Sequence, residues 1–330
     1  MNHRVLASDF NILKQRIDEE LARQDFAVQP VGLYDPIRYT LDAGGKRMRS
    51  VLVLLASRLF TDDVEPVLPA ALAVEVFHNF TLVHDDLMDQ APIRRNQPSV
   101  FSKWSPNHDI LSGDAMLVQA YSHLAQCDSS HLPHILKTFN QAALAVCEGQ
   151  QMDMDFESSQ EVGVGDYLKM IELKTASLIQ LSMELGAVLG GASAEDIIAL
   201  SGFGNYLGMA FQLQDDILDV YANTEKFGKK QGGDIVAGKK TYLYLIADQL
   251  SNNGVQSKLH TAFFSKELTD DQKIEEVTQI YNELKVVSQA EKKMQEYYDK
   301  ALSCMEKISV NNEKKQDLLL LADRLMVRDR

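Results

Sequence analysis

Two stretches of this chain carry aspartates in one pattern, Asp85-Asp86-Leu87-Met88-Asp89 and Asp215-Asp216-Ile217-Leu218-Asp219. Each is flanked by apolar residues that predict a helix. At about 100° per residue, the first and last carboxylates of each motif lie about 40° apart, one turn from each other on one face. Stacked like charges in an apolar helix repel and are costly to desolvate, so the pattern asks for a positive partner. Hard oxygen ligands of this kind suit Mg²⁺, which keeps several waters and is completed by substrate phosphates.

Basic residues could hold a second phosphate group. Lys46, Arg47 and Arg49 follow Gly44-Gly45, and such cations, with exposed backbone N–H groups, can hold a diphosphate that no metal reaches. His78 precedes Asp85 by seven residues, about 20° away on the helical wheel, and so faces the same cleft. Arg94 and Arg95 sit in a polar loop between Pro92 and Pro106.

The elements that must position these groups are helices. Only 8 prolines and 18 glycines occur in 330 residues, and Ala, Leu, Glu, Gln, Lys and Met are frequent; these residues lose little rotamer freedom in a helix. Ile12, Leu13, Ile17 and Leu21 recur at helical spacing. A break at Gly44-Gly45 leads into the apolar run 51–60, and Pro69 and Pro92 suit the start and stop of a helix through Asp89. Further helices are expected over 110–126, 132–155, 166–190 and 194–221, the last with Ser193 and Asp196 as a capping pair. Residues 223–240, with four glycines, predict a long flexible loop, and 241–250 and most of 268–327 return to helical periodicity. No repeat or alternating strand pattern is evident, so the expectation is one all-helical domain over 1–330.

Composition excludes other classes. A formal charge of −14 without a Lys/Arg-rich block argues against nucleic acid as a partner. Cys127, Cys147 and Cys304 show neither CxxC spacing nor an even number, which fits a reducing compartment. The N-terminus lacks a signal-peptide pattern. The longest apolar stretch, 176–192, is interrupted by Gln180, Ser182 and Glu184 and predicts a buried helix rather than a membrane span. A cytoplasmic protein is expected.

In order along most of its length, the chain resembles the polyprenyl synthetase family of trans-prenyltransferases. The resemblance rests on both aspartate motifs, Gly44–Arg49 (Gly-Gly-Lys-Arg-x-Arg), Arg94-Arg95, Lys174-Thr175, Phe211-Gln212, Gly228-Lys229 and Gly238-Lys239. It implies an all-α fold, a single large helical bundle of the isoprenoid synthase type with a central cavity, assembled as a homodimer. It also implies that Lys46, Arg49, His78 and Arg95 bind isopentenyl diphosphate, and that Arg94, Lys174, Gln212, Lys229 and Lys239 surround the allylic diphosphate. The residues alone do not separate Lys229 from Lys230; the resemblance points to Lys229.

On this reading Asp85, Asp89 and Asp215 ligate Mg²⁺, three ions per site, and Asp86, Asp216 and Asp219 act from behind or through metal-bound water. An allylic cation forms as diphosphate departs, the double bond of isopentenyl diphosphate attacks it, and loss of a proton completes a head-to-tail elongation. The resemblance implies that the departing diphosphate takes the proton, with Thr175 and Gln212 supplying oxygen dipoles near the cation. Phe77 and Phe80 are candidates for the floor that stops elongation. The wheel favours Phe77, whereas the family carries the role at Phe80, where an aromatic marks C15 to C20 products; the uninterrupted spacing within Asp85–Asp89 tilts toward C20.

Three departures from the family pattern affect backbone shape more than charge: Ser50 for a proline, Asn96 for a glycine and Leu243 for a proline. The alternatives are a class I terpene cyclase, which would not need Lys46, Arg49 and His78, and a non-catalytic partner subunit of a heteromeric synthase, which would not need intact aspartate motifs.

Overall fold

The computed structural model describes residues 3–24, 29–159, 161–222 and 231–326, with side chains from Asp9 onward. Almost all regular structure is helical: α1 His3–Ala22, α2 Val31–Asp42, α3 Met48–Arg58 and α4 Leu68–Met88 come first. After a small hairpin, β1 Ile93–Arg94 and β2 Gln97–Pro98, follow α5 Val100–Lys103, α6 Pro106–Leu124, α7 Leu132–Ser158 and α8 Val164–Ile171. A π-helical turn, Glu172–Ala176, leads into α9 Ser177–Leu189 and α10 Ala194–Tyr221. The remaining helices are α11 Gly233–Ala237, α12 Tyr242–Leu250, α13 Asn253–Phe263, α14 Asp270–Glu283, α15 Val286–Glu306 and α16 Asn312–Met326.

The chain forms two compact units interleaved in sequence. The first comprises 1–141, 178–201 and 307–320, and the second 142–177, 202–306 and 321–330.

In the first unit α4 packs against α3 and along α6. Pro69 lies in the first turn of α4, where the missing N–H costs nothing. Among the described residues one helical stretch, Glu65–Met88, is long and apolar enough to cross a membrane by length and composition, and most of it is buried inside the protein. Ser193 Oγ accepts from the Asp196 backbone N–H at 3.1 Å and donates to the Asp196 carboxylate at 3.0 Å, so the expected capping pair is present at the start of α10.

In the second unit the core gathers Tyr167, Met170 and Ile171 of α8, Leu213 and Ile217 of α10, Leu243 and Tyr244 of α12, Phe263 of α13 and Tyr281 of α14. Leu243 is fully buried, so this departure from the family's proline supplies an apolar side chain to the first turn of α12.

Three sequence expectations need correction. The helix expected over 166–190 is two helices joined by the π turn, because five residues there widen the ladder by one position. The loop between Pro92 and Pro106 contains the hairpin, too short for alternation to show. Within 223–240, residues 233–237 are helical, bracketed by Gly232 at φ 74° and Gly238 at φ 69°; residues 223–230, with Lys229, lie outside the described residues.

Candidate active site

In the first unit, the loop into α3 is built on Gly44 (φ 72°) and Gly45 (φ 147°), backbone shapes that a side chain would strain. Arg95 lies against it. A Cβ at Gly45 would come 2.9 Å from Arg95 Nη2, and Arg95 Nη1 donates to the Gly44 carbonyl. The hairpin turn presenting Arg95 has Arg95 at φ 50° and Asn96 at φ 61°. Asparagine tolerates that region better than other residues with a Cβ, so Asn96 fulfils the glycine's backbone role.

Arg49 Nη1 lies 3.2 Å from His78 Nε2. Burial, followed by the charges of Arg49, Arg95, Arg94 and Arg47, holds the His78 pKa well below its ordinary value, so the neutral imidazole accepts this hydrogen bond. Lys46 is exposed at the same loop. Arg47 turns the other way: it is 5% exposed and paired with Glu75 Oε1 at 2.9 Å and Asp18 Oδ1 at 2.9 Å. Ser50, another of the three departures, is buried and donates to Glu75 Oε2 at 2.7 Å, joining that internal network. The structure thus brings Arg49 to His78 and Arg95 to the Gly44-Gly45 loop, and assigns Arg47 to the interior.

The first aspartate motif divides as helix geometry requires. Asp85 and Asp89 are part-exposed, while Asp86, about 100° away, is 3% exposed. Arg94 Nε donates to Asp86 Oδ1 at 2.9 Å, and Arg94 Nη2 lies 3.3 Å from Asp85 Oδ2. Burial raises the Asp86 pKa, opposed by Arg94.

Phe80 is part-exposed and lies 4.8 Å from the His84 ring and 5.5 Å from the Phe77 ring, centroid to centroid. Phe77 is 1% exposed and packs edge-on against Phe139 at 5.1 Å. The Phe77 ring packs in the core, and Phe80 is the more accessible of the two.

In the second unit, a cavity of about 140 Å³ is lined by Asp153, Tyr167, Lys174, Thr175, Gln212, Asp216, Asp234, Lys239 and Lys240 among others. Lys174 and Thr175 lie on the π turn, which two glycines approach closely. A Cβ at Gly149 of α7 would come 2.4 Å from the Lys174 backbone nitrogen, and one at Gly208 of α10 would come 2.6 Å from Ala176 Cα.

Lys174 Nζ lies 2.7 Å from Asp153 Oδ2, and Lys239 Nζ lies 3.8 Å from the same oxygen. Thr175 Oγ1 donates to Gln212 Oε1 at 2.9 Å, and Gln212 Nε2 donates to Asp216 Oδ1 at 3.1 Å. Tyr167 Oη completes the series, donating to Asp216 Oδ2 at 2.6 Å.

The second motif divides like the first, with Asp215 part-exposed and Asp216 3% exposed. Burial drives the Asp216 pKa well up, against the hydrogen bonds from Tyr167 and Gln212. Asp219 Oδ2 accepts from the Asp234 backbone N–H at 3.0 Å at the start of α11. Lys240 Nζ donates to the Phe156 and Ser159 carbonyls at 2.6 and 2.9 Å at the end of α7.

Sequence reasoning missed Asp153, Tyr167, Asp234 and Lys240. Gly149 in the middle of α7 was an available sign of close backbone approach, and Asp153 lies one turn beyond it.

A polyprenyl synthetase family profile matches residues 30–284. The chain belongs to the polyprenyl synthetase family. This synthase is 42% identical over 222 residues, 66% of its own length and 68% of the relative's, to a geranylgeranyl diphosphate synthase of Methanosarcina mazei. It is 36% identical over 261 residues, 73% of its length and 75% of the relative's, to a geranylfarnesyl diphosphate synthase of Natronomonas pharaonis. A crystal structure of geranylgeranyl pyrophosphate synthase superposes with a TM-score of 0.92 at 40% identity, covering 97% of this chain and 99% of that one. This synthase is therefore a prenyltransferase with the all-helical isoprenoid synthase fold. Its relatives make products of different length, so length must be argued from its own residues.

Proposed function

We propose that this prenyl diphosphate synthase, acting as one domain over 1–330, condenses isopentenyl diphosphate with an allylic diphosphate and stops at C15 to C20, with C20 geranylgeranyl diphosphate preferred. The observation that carries the reading is the basic group at the Gly44-Gly45 loop. Arg95 is seated on that loop, and Arg49 pairs with a neutral His78. Elongation needs a diphosphate held without metal, and Lys46, Arg49 and Arg95 supply cationic donors for it, with the remaining ring N–H of neutral His78 as an uncharged one.

Asp85, Asp89 and Asp215 would hold Mg²⁺ on the allylic diphosphate. The donor set fits: in each motif the second carboxylate is withdrawn into the protein, leaving part-exposed hard oxygens. Among the described residues no three His, Cys, Asp or Glu side chains are grouped so as to hold a metal by themselves; Mg²⁺ generally takes one or two carboxylates and completes its shell with water and substrate phosphates. Bound Mg²⁺ supplies Lewis-acid stabilisation of the charge on the departing diphosphate.

Lys174 and Lys239 bind the same leaving group, as do Lys229 and Arg94 on the family pattern, and Arg94 also donates to Asp86. Thr175 and Gln212 present oxygen dipoles to the carbon on which positive charge develops. Phe80 closes the path of the growing tail. As in the family, the enzyme is a homodimer, with its mass in solution as the check; its three cysteines without CxxC spacing fit the cytoplasm.

Mass spectrometry of products from purified enzyme with Mg²⁺, isopentenyl diphosphate and C5, C10 or C15 allylic diphosphates tests the proposal. Linear C15 or C20 diphosphates support it. Longer chains discard the floor at Phe80, cyclic hydrocarbons discard elongation, and no turnover by folded protein favours a partner-subunit role.

A further inference from the structure

In the second unit three hydrogen bonds run in series from the cavity wall inward: Thr175 to Gln212, Gln212 to Asp216, and Tyr167 to Asp216. An amide side chain has an oxygen end and a nitrogen end of nearly equal shape, so packing alone does not decide which faces a cavity. Here the decision comes from behind. Asp216 Oδ1 takes the NH₂ end of Gln212, which turns the carbonyl end toward Thr175. The single hydroxyl proton of Thr175 then goes to Gln212 Oε1, leaving the lone pairs of Oγ1 as the group it offers elsewhere.

Tyr167 fixes Asp216. Its hydroxyl occupies Oδ2 at 2.6 Å while its ring, 3% exposed, is held in the core with Met170, Ile171 and Leu213. The carboxylate is thereby held at both oxygens, one by a side chain on a packed helix and one by the amide it orients.

We infer that Tyr167 is a positioning residue for the chemical step. Through Asp216 it sets the direction of the Gln212 amide, and through Gln212 that of the Thr175 hydroxyl, so that their oxygen dipoles are aimed before positive charge develops on the allylic carbon. The inference rests on the reading that Thr175 and Gln212 stand beside that carbon. Dipoles aimed in advance stabilise developing charge without reorganising during the reaction. Removing the Tyr167 hydroxyl leaves a buried carboxylate oxygen without its donor, and the second N–H of Gln212 is the nearest replacement on the chain of bonds. The amide must swing to supply it, which releases the Thr175 proton.

Tyr167→Phe, Gln212→Ala and the double variant test this, with Mg²⁺, isopentenyl diphosphate and the C10 allylic diphosphate. Rates are normalised to the folded fraction measured by circular dichroism at assay temperature. The expected result is a roughly tenfold lower kcat for Tyr167→Phe, from the loss of a buried hydrogen bond, with the KM for isopentenyl diphosphate unchanged. A larger share of allylic substrate should end as alcohol, formed when water attacks the cation and loses a proton. In the Gln212→Ala background, Tyr167→Phe should change kcat no further.

Wild-type kcat in Tyr167→Phe, or the same fold loss with and without Gln212, overturns the inference and leaves elongation standing. Wild-type kcat in Gln212→Ala removes the role of Gln212, and the inference with it. Absence of elongation by the unaltered enzyme defeats the functional reading itself.

Discussion

Asp153 Oδ2 lies 2.7 Å from Lys174 Nζ, with both side chains part-exposed at the cavity of the second unit. An acid beside the lysine proposed to receive a diphosphate looks counterproductive until its geometry is considered. Lysine has a long, flexible stem, and a fixed carboxylate gives it a direction.

Asp153→Asn should therefore lower kcat/KM for the allylic diphosphate roughly tenfold, the scale of a lost charge-assisted contact. The KM for isopentenyl diphosphate should hold steady, because its proposed ligands belong to the other unit. Steady-state kinetics with each substrate varied in turn checks both statements.

Asp85→Ala and Asp215→Ala should each reduce kcat by about 10³ or more, as expected where several kcal/mol of metal stabilisation are lost. Both carboxylates are part-exposed, so urea midpoints should move little. Near-normal turnover in either variant would remove the metal role from that residue.

Phe80→Ala should lengthen the product by one or more isoprene units, read by mass spectrometry. Phe77→Ala should act on stability instead, because this ring is 1% exposed and packed on Phe139; a loss of about 3–5 kcal/mol is typical for such truncations. Unchanged product length in Phe80→Ala would require another floor.

Asp109 offers a test in pH. Its side chain is buried with neither oxygen in a well-formed hydrogen bond. Burial pushes its pKa from 3.8 to about 7, opposed by the Phe101 backbone and assisted by Asp86. A raised carboxyl pKa means that the folded form keeps a proton that the unfolded form has released. The contribution is full below about pH 4 and is lost as pH rises to about 7, by at most about 1.4 kcal/mol per unit. Thermal midpoints between pH 5 and 8 should thus fall less in Asp109→Asn than in the wild type; equal slopes would reject the assignment.

Much of the architecture was legible because helical periodicity is a local property: α10 begins and ends at the residues expected, and the capping pair at Ser193 is present. Withdrawal of Asp86 and Asp216 was likewise implicit in the 100° step between neighbours. The π turn was not legible, because its residues differ from an α-helix only in which carbonyl each N–H reaches. Arg47 shows a different gap. Its charge was visible beside Lys46 and Arg49, but its partners Glu75 and Asp18 come from distant helices. Asp153 was missed for the same reason, since its meaning depends on Lys174 arriving opposite it.

Gly149 and Gly208 set a boundary for engineering. Replacing a mid-helix glycine by alanine is a common route to a hardier enzyme, worth roughly 0.5–1 kcal/mol from backbone entropy and helix preference. At these two positions the new methyl group would press on the backbone at Lys174 and Ala176. Thermostability campaigns and shuffled libraries should leave both glycines unaltered, because the π turn that carries Lys174 and Thr175 occupies the space where their side chains would be.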